Sequence, residues 1–308
     1  MTRRVIIDCD PGTDDAIALW LAFASPEVEV PLITVAGGNA GLASTLANAR
    51  AVVGLAGRTV PVVAGADRPL LGAFRADVKV HGVDGLAGIR LPEGSPATPG
   101  VAADAVRALL RQAEPSSVTL LGIAAATNLA LALATEPQLA NRVDEIVLMT
   151  GAVGEGNWTP AAEFNAAMDP EALAILLAAG CPTTLVTLDL TAQALVTPDR
   201  IAALRAQGGG RCLAACCDIM EAVPPSRRLG HRGHPLHDPC ALAWIAMPGL
   251  FTARDVAVQV ECGTGPGRGR THFDRWGRSG VEPHARLLES LDADGFFAML
   301  GERLARLP

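Results

Sequence analysis

Four carboxylates fall within eight residues in the run Asp8-Cys9-Asp10-Pro11-Gly12-Thr13-Asp14-Asp15. The run follows a β-branched apolar stretch, Val5–Ile7, so it stands where a buried strand ends. Pro11 and Gly12 suit a tight turn. Thr13 or Asp14 suits the cap of a following helix, and carboxylates in a first turn favour its dipole. Capping accounts for one acid, not for four. Charges at this density repel one another unless a cation neutralises them. Hard oxygen donors in such number suit Ca2+ or Mg2+. An EF-hand loop does not fit, because no glutamate stands at its twelfth position and the flanks read strand then helix. A second acid lies far along the chain, in His237-Asp238-Pro239. That pair reads either as a helix cap beside a surface imidazole or as a metal ligand beside a proton donor.

The elements that must position these groups alternate between strand and helix. Strands are expected at Val5–Ile7, Val28–Val35, Val60–Ala64, Val118–Gly122, Glu145–Met149, Thr184–Leu188 and Val256–Glu261. Helices are expected at Ala16–Ala24, Leu42–Leu55, Val101–Gln112, Asn128–Ala134 and Pro170–Ala179, with a closing helical region over Leu287–Leu304. Between Leu195 and Leu236 the pattern is irregular. The βαβ alternation predicts an α/β fold: a mostly parallel central sheet flanked by helices. Such sheets bind ligands beyond the carboxyl ends of their strands. The polar clusters stand there: Asp8 and Asp10 after the first strand, Gly37-Gly38-Asn39 after the second, Thr127-Asn128 after the fourth. Thr150, Gly151 and the run Gly154–Asn165 follow the fifth, and Asp189 the sixth.

The chain has 308 residues, 50% of them apolar and 19% charged, which excludes intrinsic disorder. No repeat or linker tract divides it, so one domain over residues 1–308 is expected. A net charge of −7 argues against non-specific binding to nucleic acid or to an anionic membrane. The best apolar runs, Ala16–Ala24 and Ala172–Ala179, are too short to span a bilayer. Asp8 and Asp10 interrupt any signal-peptide core, and the seven cysteines then read as reduced thiols in a cytoplasm. Cys212, Cys216 and Cys217 lack a second ligand pair at zinc spacing and read as small buried hydrophobes on a helix.

The run from Asp8 to Ala16 resembles the signature of the inosine–uridine-preferring nucleoside hydrolases. Later motifs resemble the family in order: Gly38-Asn39, His81–Gly85, Thr127–Ala130, Val147–Met149, Gly156-Asn157 and Ala162–Asn165, then Met168–Glu171, Leu188–Thr191 and His237–Ala241. The similarity covers roughly residues 3–300. It implies calcium-dependent hydrolysis of the N-glycosidic bond of ribonucleosides, giving ribose and a free purine or pyrimidine base. Carried over by position, the resemblance implies that Asp10, Asp15 and Asp238 hold Ca2+ by their carboxylates and Thr127 by its backbone carbonyl. Asp10 would also be the general base for the attacking water. Asp14, Asn39, Asn157, Glu163 and Asn165 would bind the ribose hydroxyls, with Met149 and Phe164 as an apolar wall. His237 would lie near the leaving base and His81 at the mouth of its pocket. The expected partners are a ribonucleoside and further copies of the chain, as a dimer or tetramer.

The chain departs from its relatives in one region. It has no tyrosine, whereas some members stack tyrosines on the base from the segment before His-Asp-Pro. Here that segment carries Pro224, Pro225, Arg227, Arg228, His231, Arg232 and His234. It reads as a solvated basic loop or as an altered lid that selects the base. Trp158 is a substitute stacking surface or a packing anchor. Three alternatives stand beside this reading. A haloacid-dehalogenase-like phosphatase shares Asp-x-Asp but needs a downstream lysine, and the chain has Lys79 alone. A silent nucleoside binder would keep the pocket without turnover. A hydrolase of another N-riboside, such as nicotinamide riboside, would keep the chemistry and change the base.

Overall fold

The computed structural model describes residues 2–308 apart from 74 and 77; the side chain of Lys79, on which the phosphatase alternative turns, lies outside the description. The strands are Arg3–Cys9 (β1), Val28–Val35 (β2), Val62–Ala64 (β3), Val118–Gly122 (β4), Val143–Met149 (β5), Thr183–Val186 (β6), Leu195–Val196 (β7), His234–Pro235 (β8), Phe251–Val260 (β9), Thr271–Asp274 (β10) and Ala285–Leu291 (β11). Among the described residues nine of them form one sheet in the order β10-β9-β11-β6-β5-β4-β1-β2-β3. β9 runs antiparallel to β10 and β11, and every other neighbouring pair in the sheet is parallel. The expected α/β architecture is the one observed.

Helices cover both faces, and the period-two alternation of β1 shows why. Val5, Ile7 and Cys9 enter a core built with the helices Thr13–Ala24, Leu42–Leu55, Arg211–Ala222, Asp238–Ala246 and Ala293–Leu304. Ile6 points the other way, into a core with the helices Ala102–Gln112, Thr127–Thr135 and Pro170–Leu177. The middle of β1, Val5–Ile7, is buried on both faces and is accordingly apolar and β-branched.

The strand order reverses at β1. From there the chain moves outward one way through β2 and β3 and the other way through β4, β5 and β6. Loops leaving β1 and β4 therefore part to opposite faces and open a crevice between their carboxyl ends. Buried Asp8 laces this point together: its Oδ1 accepts from Thr34 Oγ1 on β2 (2.6 Å) and from Asn128 Nδ2 in the helix after β4 (2.8 Å).

Three expectations fail. Leu287–Leu291 is strand, not helix: β11 pairs parallel with β6 and antiparallel with β9, and the closing helix begins at Ala293. The sixth strand ends at Val186, and Leu188–Thr191 is a short helix carrying Asp189. The segment 195–236 is not irregular, since it holds the helices Pro198–Ala206 and Arg211–Ala222. Cys212, Cys216 and Cys217 are buried on the second of these, as expected.

Candidate active site

The acidic turn is built by its own backbone. β1 ends at Cys9 and the helix Thr13–Ala24 starts three residues after Asp10. Asp15 reaches back over the turn: its Oδ1 accepts from Asp10 N (3.0 Å) and its Oδ2 from Gly12 N (3.0 Å). Asn39, beyond β2, closes the arrangement. Its N–H donates to Asp10 Oδ2 (2.7 Å), and its Nδ2 donates to Asp15 Oδ2 (2.9 Å) and to Asp10 O (3.2 Å). Asp10 Oδ1 is buried and has no partner. Gly38 packs directly on Asp10, and a Cβ there would overlap Asp10 Oδ2. Gly38→Ala should therefore displace this carboxylate and lower kcat by about 100-fold, the usual cost of a misplacement near one ångström. Steady-state kinetics beside a thermal melt would check this; a kcat within twofold of the parent would show that Asp10 tolerates the shift.

Asp238 arrives from the far end of the chain on the first turn of the helix Asp238–Ala246. Its N–H donates to Asp14 Oδ2 (3.4 Å). Oxygens of Asp14, Asp15 and Asp238 all lie within 4.8 Å of one another. Asp10 lies beside this group, close enough for its charge to bear on Asp238. Burial and the charges of neighbouring carboxylates make Asp10, Asp15 and Asp238 hard to keep ionised. Burial, then Asp14, pushes Asp15 up to about 7. Burial, then Asp15, raises Asp10, and burial, then Asp14, raises Asp238. The soft ligands nearby face elsewhere: Cys9 Sγ donates to Thr34 O (3.5 Å) and Cys240 Sγ to Leu236 O (3.1 Å). A buried all-oxygen donor set with an orphaned carboxylate oxygen beside it fits a hard divalent cation. Thr127 is close to this region in the fold but contributes no side chain, because its hydroxyl donates to Asp169 Oδ2 (2.6 Å).

A cavity of about 1250 Å³ opens over the cluster. Asp14, Asn39, His81, Met149, Asn157, Glu163, Phe164, Asn165, His237 and Asp238 line it, whereas Asp10, Asp15 and Thr127 lie beneath the lining. Several lining groups are oriented by backbone. Asn165 Nδ2 donates to Ile123 O (3.2 Å) and Met149 O (3.0 Å), and Asn157 Oδ1 accepts from Phe164 N (2.9 Å). Glu163 caps the helix Phe164–Met168, accepting from Asn165 N and Ala166 N, and also accepts from Gly151 N (2.9 Å). Trp158 packs edge-on against Phe164 with ring centroids 5.1 Å apart and lines the same cavity, so it is both packing anchor and pocket wall.

Two histidines face the cavity from different loops. Thr13 donates its N–H to His81 Nδ1 (3.2 Å), and its hydroxyl bonds the same atom (3.0 Å). His237 Nδ1 is bonded to Thr191 Oγ1 (2.7 Å). Burial holds His237 below the usual imidazole range; Asp14 opposes this, while His81 and Arg228 add to it. Thr13 and Asp14, one of which the sequence leads us to expect as the helix cap, do not cap it: Gly12 holds the cap position and the Thr13 hydroxyl goes to His81. Thr191 carries no role in the sequence reading, although it ends the run Leu188-Asp-Leu-Thr. Nothing local marks a threonine as the orienter of a histidine 46 positions away.

A model of the family described as inosine-uridine preferring nucleoside hydrolase matches residues 5–298. The chain belongs to this family. Its membership makes it an N-ribosyl hydrolase, acting on ribonucleosides to release ribose and a base. A nucleoside hydrolase from Shewanella woodyi, called pyrimidine-specific ribonucleoside hydrolase RihA, is 41% identical over 99% of this chain and 98% of its own length. Among solved structures, a purine-preferring ribonucleoside hydrolase from Gardnerella vaginalis superposes with a TM-score of 0.90 at 27% identity, covering 98% of each chain. A plant nucleoside hydrolase superposes with a TM-score of 0.91 at 29% identity, covering 99% of this chain and 100% of that one. Among the described residues no helix is long and apolar enough to cross a membrane.

Proposed function

We propose that this nucleoside hydrolase is calcium-dependent, prefers pyrimidine ribonucleosides, and uses Asp10 as the base that activates water. The buried carboxylate group under the cavity, with Asp10 Oδ1 unpartnered at its edge, carries the reading. Asp10, Asp15 and Asp238, with the Thr127 carbonyl, are the proposed ligands, and the geometry adds Asp14 as a neighbour able to join them. When bound, Ca2+ would keep these carboxylates ionised, anchor the ribose diol and make the attacking water more acidic.

The chain's own residues do the rest. Asn39, Asn157, Glu163, Asn165 and Asp14 are the proposed partners of the ribose hydroxyls, each already held by hydrogen bonds to its surroundings. Met149 and Phe164 exclude water from one side of the sugar. As the bond from C1′ to the base nitrogen breaks, its electron pair leaves with the base and C1′ gains oxocarbenium character. The carboxylates below stabilise that positive charge. A water oxygen bonds to C1′ and its proton passes to Asp10 Oδ1, the oxygen left free when Asn39 N holds Oδ2. His81 borders the base pocket. His237, protonated transiently, passes that proton to the departing base and is left as neutral imidazole, with Thr191 fixing the ring.

The pyrimidine preference rests on the relatives near 40% identity over almost the whole chain, named pyrimidine-specific. Ribose release from uridine, cytidine, inosine and guanosine under one set of conditions tests it. Uridine or cytidine should have the highest kcat/KM; inosine exceeding both would reverse the assignment. Seven unpaired thiols support a reducing, cytoplasmic setting.

The donor role of His237 has its own test. His237→Ala should depress kcat with uridine by 10²-fold to 10⁴-fold, roughly the worth of general acid catalysis, and affect KM less. With p-nitrophenyl riboside, whose leaving group needs no proton, the loss should shrink to about tenfold or less. Thr191→Val should give a smaller version of the same split. Equal losses on both substrates would mean that His237 positions ribose or Asp238 and donates nothing.

A further inference from the structure

The segment before His237 is an ordered cationic turn. Pro224 and Pro225 end the preceding helix, and Arg227–Leu229 forms a short 3-10 turn. Ser226 N donates to Gly233 O (2.8 Å), His231 N to Ser226 O (3.0 Å) and Gly230 N to Arg227 O (3.1 Å). His231 adopts a left-handed backbone (φ 56°), which few non-glycine residues do, so the closure is specific. β8 then pairs with β7 and anchors the far side. The turn presents Arg227, Arg228 and His231 to the cavity, and Arg75 lines it from the loop after β3. Among the described residues, the side chains of Arg75, Arg227, Arg228 and His231 form no ion pair or hydrogen bond. Elsewhere on the described surface Arg111, Arg205, Arg254, Arg275, Arg286 and Arg306 meet carboxylates, whereas Arg68, Arg90, Arg211 and Arg278 do not; what sets the four cations here apart is that they line a ligand cavity.

These cations line the same pocket as the acids yet do not neutralise them. The acids occupy the floor, as Asp14 and Asp238, and the loop after β5, as Glu155 and Glu163. In the proposed pose ribose lies on that floor with its hydroxyls toward Asn157 and Glu163, and the base projects to the rim where His81 and His237 stand. Arg228 is close enough to His237 for its charge to be felt there. A neutral base asks for no guanidinium, and unpaired cations held over a ligand position recognise an anion.

We propose that the ribonucleoside taken by this pocket carries a negative charge on its base, such as a ring carboxylate, held by Arg227 and Arg228. This deepens the nucleoside hydrolase reading and rests on it. The reaction is unchanged in balance: C1′ gains the water's OH, the bond pair leaves with the base, and the extra negative charge on the departing base is offset at the rim. A sugar-borne phosphate is disfavoured, since the 5′ end of ribose would face Glu155 and Glu163.

The test compares 5-carboxyuridine with its neutral isostere 5-carbamoyluridine in the parent chain and in the double variant Arg227→Gln/Arg228→Gln. Taking the ratio of kcat/KM for the two substrates cancels what the variant does to ribose cleavage in general. That ratio should fall about tenfold in the variant, the effect of losing two partly exposed ion pairs, mostly through KM. In the parent chain the ratio should also fall as ionic strength rises, which needs no variant. A ratio unchanged by both the substitution and salt overturns the proposal. So does a loss confined to uridine 5′-phosphate, which would put the anion on the sugar. If the parent chain releases ribose from neither uridine nor 5-carbamoyluridine, the underlying hydrolase reading fails instead.

Discussion

Asp10→Asn should lower kcat by about 10⁴-fold, the upper range for loss of a general base. The change keeps the shape of the side chain. The bond from Asn39 N can persist if the amide oxygen takes the place of Oδ2. What disappears is the proton-accepting Oδ1 and a unit of negative charge under the sugar. Both matter only as the glycosidic bond breaks, so kcat should fall far more than KM rises. Calcium content measured on the same sample separates the two roles. A variant that keeps its metal but not its turnover supports Asp10 as base, whereas loss of both marks it chiefly as a ligand. Turnover within tenfold of the parent would remove Asp10 from the mechanism.

Stripping calcium should be nearly as severe, lowering activity by about 10³-fold or more, since a cation of this kind supplies several kcal/mol of charge stabilisation. The carboxylate group adds a signature independent of turnover. Without a cation, Asp15 titrates at about 7, and Asp10 and Asp238 are also raised, by burial first. Near neutral pH the metal-free cluster therefore holds protons that a divalent cation must displace. Adding Ca2+ to metal-free protein in weak buffer should release protons at pH 6–7, and fewer as the pH rises well above 7. Saturating metal should also raise the melting temperature, by about 2.7 kcal/mol of stability at a hundredfold excess over Kd. Full activity in a rigorously metal-free sample would defeat the calcium assignment. Activity lost without proton release would mean the ion binds elsewhere.

The architecture was legible where local pattern and tertiary role agree. The buried stretches of β1, β2 and β4, at Val5–Ile7, Leu32–Val35 and Val118–Gly122, are mostly apolar because both of their faces are covered, and their ends are marked by the polar residues that line the crevice. β11 was not legible. Leu287, Leu288 and Leu291 fit a helix as well as a strand, and the deciding hydrogen bonds come from β6, about 100 positions earlier, and from β9. The helix Arg211–Ala222 was hidden differently: three glycines precede it and alanine and cysteine supply much of its apolar face, a weak periodic signal.

At the site, the residue types were determined by the sequence alone. A strand, a tight turn and a helix start force Asp8, Asp10, Asp14 and Asp15 into one small volume, whatever the remainder of the chain does. The tertiary structure decided which of them meet. Asp238 joins Asp14 and Asp15 because the helix Asp238–Ala246 packs beside the helix Thr13–Ala24 in the same core layer. Asp10, beside this group, accepts from Asn39 N on one oxygen and packs against Gly38, and its other oxygen has no partner. The threonines that orient His81 and His237, and the arginines left without partners over the pocket, are likewise products of loops from distant strands meeting at one crevice. Proximity across hundreds of positions depends on sheet order and crossover direction. A linear reading sees the charges, but only the fold sets which ones share a dielectric environment and which stand unpaired.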